Sequence, residues 1–224
     1  PEAPLPTPRP RPAVARDSTR VATYPPLEGR WLVAAALGYR HCLTGFREFF
    51  TDMGLFELMV QNRATRRLTP YFAFQIGFGD IPDEFESIVT NPDGSPLDGR
   101  SALYALELGS LLTAGAGEHS DVYVGLGWGY YMRSLRWGTD ATFVDIYGNL
   151  YTPTLVRELQ DWGVSTRLGW RKQYRTVGGR VRMLDIQARW ENYAASTLSA
   201  EPSPFLASGR DQWIALSVSL VGGF

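Results

Sequence analysis

The amino-acid sequence predicts an all-β fold, an eight-stranded antiparallel up-and-down transmembrane β-barrel preceded by an extended Pro-rich N-terminal segment. Three observations carry this prediction. Hydrophobic residues recur with a period of two from Arg30 onward, short and long connections alternate, and one strand face is too bulky for the interior of a small barrel. The composition agrees, because the 224 residues include 23 Gly and are 13% aromatic, which is more typical of β proteins than of helical ones.

The N-terminal residues 1–29 form a Pro-rich segment that we separate from the barrel of residues 30–224. Alternate prolines favour an extended polyproline II conformation and prevent the segment from packing a core of its own. The segment is either a periplasmic spacer, which the composition alone favours, or a strip that docks a periplasmic partner, the hypothesis we carry forward. The residues assigned to partner docking are Pro4, Pro6, Pro8, Pro10 and Pro12.

Eight segments with alternating hydrophobicity are predicted as strands, and each is long enough to cross a bilayer when tilted, which takes about 9–11 residues. They lie near residues 30–41, 54–64, 69–80, 100–113, 121–134, 157–172, 178–193 and 210–224. The connections alternate strictly: 64–68, 114–120 and 173–177 are short, whereas 42–53, 81–99, 135–156 and 194–209 are long. Membrane barrels have tight periplasmic turns and longer extracellular loops, so both termini are expected in the periplasm.

The volume of the apolar face decides which side of the sheet meets lipid. One face of the strands carries Phe72, Phe74 and Trp128, while the opposite face of the fifth strand holds Gly125 and Gly127. Side chains just fill the interior of an eight-stranded barrel, so the bulky face must point outward, where only lipid tolerates it. Two aromatic girdles are expected at the headgroup layers. One contains Trp31, Phe72, Trp170 and Phe224, and the other contains Tyr39, Tyr130, Trp162 and Trp190.

Charged side chains of both signs fall on the inward face of the predicted strands. The alternation places Arg40, Glu57, Gln75, Glu107, Arg133, Arg167, Arg171, Asp185, Gln187 and Arg189 there. Buried charges need partners, which indicates a ladder of salt bridges that plugs the barrel, whereas the alternative is a selective pore lined by basic residues. We favour the plug because an eight-stranded barrel rarely leaves an aqueous path. The expected centre of this charge network consists of Glu57, Glu107, Arg167, Asp185 and Arg189.

The last predicted strand carries a resemblance to a known family. From Gln212 to the terminal Phe224 it reads QWIALSVSLVGGF, an alternating apolar strand closed by an aromatic residue. It resembles the C-terminal signature of bacterial outer-membrane proteins, and the strand count resembles the small OmpA-like and OmpX-like barrels. The resemblance implies a Gram-negative outer-membrane location and recognition of the final strand by the barrel-assembly machinery during biogenesis.

Residues with catalytic or metal-binding chemistry are sparse. The two histidines are His41 and His119, and His119 is adjacent to Ser120, so on a strand those two side chains face opposite sides. His41 beside Cys42 supplies two ligands, which is fewer than a metal site needs. We therefore expect no catalytic residues, no metal and no cofactor, while a lipid A-modifying outer-membrane enzyme stays an alternative.

Global features narrow the function class further. The net charge of −1 gives no reason to expect a nucleic-acid partner. The sequence has no run of 18 apolar residues for a transmembrane helix, and its start lacks a signal-peptide pattern, as expected of a mature exported chain.

We interpret the acidic loop 81–99 as a solvated loop. Loop 135–156 is a candidate contact surface through its aromatic residues Trp137, Phe143, Tyr147 and Tyr151.

These features predict a non-enzymatic outer-membrane barrel that serves as a membrane anchor or as a structural component of an envelope assembly. Its expected partners are outer-membrane lipid and lipopolysaccharide, the barrel-assembly machinery, and a periplasmic or envelope protein docked by the N-terminal segment. Two alternatives stay open: a narrow pore or hydrophobic-solute channel, and a lipid A-modifying enzyme.

Overall fold

The structure of the chain is a computed structural model. It describes residues 30–44, 52–65, 67–80, 94, 98–116, 119–138, 142–152, 154–176, 180–194 and 210–223. The Pro-rich segment 1–29, most of the acidic loop 81–99 and the terminal Phe224 therefore lie outside the described residues. The described residues contain no helix that is long and apolar enough to cross a membrane.

Eight long strands close into one barrel in which each strand runs antiparallel to both neighbours, and the predicted fold is confirmed. The barrel strands are β1 Trp31–Thr44, β2 Met53–Asn62, β3 Leu68–Asp80, β4 Asp98–Ala116, β5 Ser120–Gly138, β8 Thr154–Arg175, β9 Val181–Ala194 and β10 Arg210–Gly223. Two further strands, β6 Phe143–Val144 and β7 Leu150–Tyr151, form a separate hairpin. Each barrel strand pairs with the next one in the chain, and β1 closes the ring by pairing with β10.

Short and long connections lie at opposite ends of this barrel. Residues 63–67, 117–119 and 176–180 connect strands at the end where β1 begins and β10 finishes, which we call the turn end. Residues 45–52, 81–97, 139–153 and 195–209 connect strands at the other end, which we call the loop end. The predicted alternation of connection lengths is therefore present in the structure.

Side chains alternate strictly between the interior and the outer wall. In β2, for example, Leu55, Glu57 and Met59 are buried while their neighbours Phe56 and Leu58 are each 40% exposed. A two-residue period makes this alternation obligatory in a strand. The outer wall is a continuous apolar band of the kind that lipid covers. Its exposed leucines include Leu37, Leu106, Leu108, Leu126, Leu168, Leu216 and Leu220.

The strand boundaries differ from the predicted ones mainly around β8 and β9. The predicted turn 173–177 is wrong by three residues, because β8 continues to Arg175 and pairs it with Val181 at the start of β9. Backbone pairing requires no apolar side chains, so the ladder extends past the hydrophobic band through polar residues. The turn lies where residues 176–180 contain two consecutive glycines. The β5–β8 ladder likewise extends to Gly138 and Thr154 inside the predicted loop 135–156.

The β6–β7 hairpin gives that predicted loop a defined structure. The carboxylate of Asp145 accepts hydrogen bonds from the backbone N–H groups of Tyr147 and Asn149 and from the Asn149 side-chain amide, each at 2.8 Å. These bonds, led by the one from the Asn149 side chain, hold the pKa of Asp145 below its usual value. Of the aromatic residues proposed for a contact surface, Tyr147 is 81% exposed, but Trp137 is not available because it points into the barrel and is buried.

Candidate functional site

The interior of the barrel is the candidate site, because the large buried polar groups of the described strands lie there. Room for these groups comes from the inward face of β5, where Gly125, Gly127 and Gly129 contribute no side chains. A Cβ atom added at Gly127 would lie 2.5 Å from both Glu107 Oε1 and Tyr71 Oη. Charged and phenolic groups therefore occupy the space that the glycines leave.

Arg167 lies at the centre of the interior between two glutamates. Its Nη1 and Nη2 atoms donate to Glu57 Oε1 and Oε2, each at 2.9 Å, in a bidentate arrangement. Its Nη2 and Nε atoms also donate to Glu107 Oε1 at 2.7 and 3.1 Å. One guanidinium thus neutralises part of two buried carboxylates, which is the geometry to which arginine is best suited.

Tyrosine and glutamine side chains complete the coordination of these two glutamates. Glu107 accepts hydrogen bonds from Tyr71 Oη at 2.5 Å, from Tyr131 Oη at 2.9 Å and from Gln75 Nε2 at 3.3 Å. Glu57 accepts one from Gln187 Nε2 at 3.0 Å. These bonds satisfy carboxylate lone pairs that Arg167 does not reach, as buried charges require.

The network continues toward the loop end through two further arginines. Arg189 donates to Glu57 and forms an ion pair with Glu191, with 2.6 Å between Nε and Oε1. Arg40 donates to Glu191 Oε2 at 2.5 Å. The guanidinium of Arg40 lies 4.2 Å from the ring centroid of Trp213, a cation–π contact on the most voluminous fully buried side chain of the described strands.

The network also continues toward the turn end, and there Asp185 takes part. Arg171 Nε donates to Asp185 Oδ2 at 2.7 Å, and its guanidinium lies 4.4 Å from the centroid of Tyr123. Tyr123 Oη donates to Asp185 Oδ1 at 2.9 Å and to Gln187 Oε1 at 3.4 Å, which links this pair to Arg167. Asp185 therefore lies on the turn-end side of the central cluster, which consists of Glu57, Glu107, Arg167 and Arg189.

Two carboxylates that pair with the buried arginines were absent from the residues singled out in the sequence. Asp161 pairs with Arg133, and Glu191 pairs with both Arg40 and Arg189. The alternation could have identified both, since each lies an even number of positions from a predicted inward residue on its own strand.

The buried charges whose side chains the structure describes are matched in sign. The buried arginines there are Arg40, Arg133, Arg167, Arg171 and Arg189, and their carboxylate partners are Glu57, Glu107, Asp161, Asp185 and Glu191. Asp121 has its own partner in Arg63, at 3.2 Å near the turn end. The interior charges that the structure describes therefore neutralise one another and form a densely cross-linked network.

The turn-end half of the interior also contains an apolar cluster. It consists of Leu32, Ala34, Met59, Tyr71, Ala73, Leu111, Tyr123, Met183 and Val221. The charged network overlaps with this cluster, because Tyr71 and Tyr123 belong to both groups. This cluster fills part of the described interior with apolar side chains.

The residues assigned to the aromatic girdles lie on the outer wall wherever the structure describes them. Trp31, Tyr39, Phe72, Trp162 and Trp170 are exposed, and Tyr130 and Trp190 are half-buried. Trp162 stacks on Trp128 with ring centroids 4.3 Å apart. The remaining girdle residue, Phe224, and the docking residues Pro4, Pro6, Pro8, Pro10 and Pro12 lie outside the described residues.

The histidines do not form a reactive group with each other. His41 lies at the loop end, where its ring contacts the carboxylate of Asp52, whereas His119 precedes β5 at the turn end. Cys42 is buried inside the barrel, while the side chain of His41 is partly exposed on the outer wall. Within the described ranges, no group of three or more metal-ligating side chains is present.

Comparison with known proteins gives matches among solved structures alone, because no family model and no curated protein matches the sequence. Neisserial surface protein A matches with a TM-score of 0.50 and 10% identity over 88% of this chain and 98% of that one. A major outer membrane protein from Thermus thermophilus matches with a TM-score of 0.50 and 12% identity over 87% and 98%. Ail of Yersinia pestis matches with a TM-score of 0.45 and 13% identity over 88% and 99%. At such low identity the likeness concerns the fold, which is that of the small bacterial outer-membrane β-barrels.

Proposed function

We propose that this chain is a non-enzymatic membrane anchor or structural component of an envelope assembly in the bacterial outer membrane. Both termini lie in the periplasm, and residues 1–29 dock a periplasmic partner. The observation that carries the proposal is the filled interior, in which Arg167 joins Glu57 and Glu107 across the barrel. Because the interior is filled, the surfaces available for function are the outer wall, the loops and the termini.

A solute channel fits this interior less well than an anchor does. To pass, a solute would have to separate Arg167 from two carboxylates and also displace the apolar cluster around Leu32 and Met59. Breaking buried ion pairs costs several kcal/mol each, and the tight packing of the cluster adds to that barrier. We therefore prefer the closed anchor to the pore.

Conductance measurement tests the closed interior directly. The refolded chain, inserted into planar bilayers, is expected to give no steady single-channel current, because the central ion pairs span the lumen. Insertion is checked on the same preparation by protease protection of the barrel in lipid vesicles. Steady unitary currents that scale with the amount of inserted protein would contradict the closed interior and favour the channel.

Deleting residues 1–26 tests the docking hypothesis. The barrel is expected to fold with an unchanged unfolding midpoint, since β1 begins at Trp31, while co-purification of envelope proteins with the chain is lost. A matched variant keeps the length but replaces the five assigned prolines with alanine. Docking predicts that this variant also loses its partners, whereas a spacer predicts that it keeps them; unchanged co-purification after the deletion would refute docking.

A further inference from the structure

The outer wall of the barrel carries its charges asymmetrically. At the loop end, outward-facing strand positions hold the acids Asp80, Asp98 and Glu158 together with Arg100 and Arg136. At the turn end, the charged outward-facing positions of the described strands are Lys172 and Arg182, and no carboxylate accompanies them. On these strands the wall is therefore mixed in sign at one end and purely basic at the other.

The two cations are diagonal neighbours on β8 and β9, at the border of the apolar band. Lys172 follows Trp170 by two residues on β8 and therefore faces the same side, and it lies opposite Leu184 on β9. The next outward pair along the same ladder joins Tyr174 to Arg182. The rings of Trp170 and Tyr174 are both more than a third exposed. Cations beside Trp and Tyr at the edge of an apolar band lie at the depth of lipid headgroups.

Arg182 is seated in a space that the neighbouring strand provides. A Cβ atom added at Gly222 of β10 would lie 2.0 Å from Arg182 Nη1, so the guanidinium lies directly against the glycine backbone. Neither Arg182 nor Lys172 forms an ion pair with any carboxylate in the described part of the chain. Two cations without a carboxylate partner thus face outward on adjacent strands, and the guanidinium of Arg182 extends over Gly222, on the side of β9 away from Lys172.

Further exposed cations extend this basic surface around the rim of the turn end. They are Arg30, Arg67 and Arg180. The sequence adds one acid there, because the connection 117–119 contains Glu118, a residue outside the described ones. Basic residues therefore outnumber acids at this end, so the surface attracts anions.

We propose that the turn-end wall binds the headgroup phosphates of anionic phospholipids, with Lys172 and Arg182 as the residues that contact them. The occupant is a lipid and not a protein, because the two cations lie on the lipid-facing wall directly beside the apolar band. Tyr174, directly opposite Arg182 on the same wall, supplies a hydroxyl at the same level. This inference rests on the barrel spanning a membrane and is independent of its anchoring role.

Native mass spectrometry of the detergent-solubilised barrel tests the site, with phosphatidylglycerol and phosphatidylcholine of identical acyl chains as probes. The wild-type chain is expected to retain phosphatidylglycerol preferentially. Each of Lys172→Gln and Arg182→Gln should reduce that retention about fivefold, and the double variant should remove the preference. Gly222→Ala, which keeps every charge, should displace the guanidinium and match Arg182→Gln.

The matched control is Arg100→Gln with Arg136→Gln, which removes the same charge from the loop end and is expected to leave the preference unchanged. All variants are first checked for folding by their strand content and unfolding midpoint. Equal retention of both lipids by the wild type would overturn the proposal. An equal loss of the lipid preference in the control pair would also overturn the proposal, because the preference would then depend on the net charge of the barrel and not on the turn-end residues. Neither result bears on conductance, so failure here is separable from failure of the anchor proposal.

Discussion

Replacing Arg167 with methionine is expected to lower the free energy of unfolding of the barrel by about 3–5 kcal/mol. The side chain is fully buried and donates to both Glu57 and Glu107, so its removal leaves excess negative charge in the centre of the interior. Glu57 keeps Arg189 as a partner, but Glu107 keeps only neutral donors. Urea unfolding in lipid vesicles, followed by tryptophan fluorescence, measures the change.

Two further variants separate lost charge pairing from lost packing. Arg136→Met makes the same substitution at an exposed position of β5 and is expected to change stability by less than about 0.5 kcal/mol. Adding Glu107→Gln to Arg167→Met removes the unpaired charge and should restore a large part of the loss, because the double variant is neutral there. An effect of Arg167→Met below about 1 kcal/mol, or no recovery in the double variant, would show that the central cluster does not hold the barrel together.

Replacing Gly127 with alanine is expected to destabilise the barrel by about 1–3 kcal/mol through overpacking. The added methyl would lie 2.5 Å from Glu107 Oε1 and Tyr71 Oη and 2.6 Å from Ser165 Oγ. Two of these three groups are fixed by hydrogen bonds in the central cluster, so they cannot move away without breaking a bond. The same unfolding assay measures the loss.

Gly54 on β2 offers the matched control for this substitution. A Cβ atom there would have Phe78 O as its nearest neighbour, at 3.8 Å, on the outer wall. Gly54→Ala is therefore expected to be neutral or to stabilise by up to about 1 kcal/mol, through the lower entropy of the unfolded chain. Similar losses for the two substitutions would mean that β5 needs its glycines for backbone flexibility and not for space.

The alternation of side chains was sufficient to predict which residues face the interior. Arg167 and Glu107 are inward by position alone, because a strand has a period of two and the bulky face must meet lipid. The fold class followed from the same pattern together with the alternating connection lengths. Both signals are local, so a single sequence displays them.

The partners of the interior charges could not be predicted in the same way. Asp185 was expected at the centre, but it pairs with Arg171 near the turn end. Alternation specifies the side on which a residue lies and not its height in the barrel, which depends on strand tilt and on the register between strands. The three-residue error at the β8–β9 turn had the same origin, since a polar ladder beyond the apolar band leaves no hydrophobic pattern to follow.

The pairing of β1 with β10 also governs how such a ring is built. Leu32 lies opposite Gly223, although nearly the whole barrel separates them along the chain, whereas every other seam joins consecutive barrel strands. Pairings between consecutive strands form first. Pairing β1 with β10 requires the closure of a very long loop and therefore costs more conformational entropy. Until the last seam forms, two strand edges expose unpaired backbone groups, which hydrocarbon does not tolerate. Insertion and closure are therefore coupled into one all-or-none event, with no half-open ring that is stable inside the bilayer.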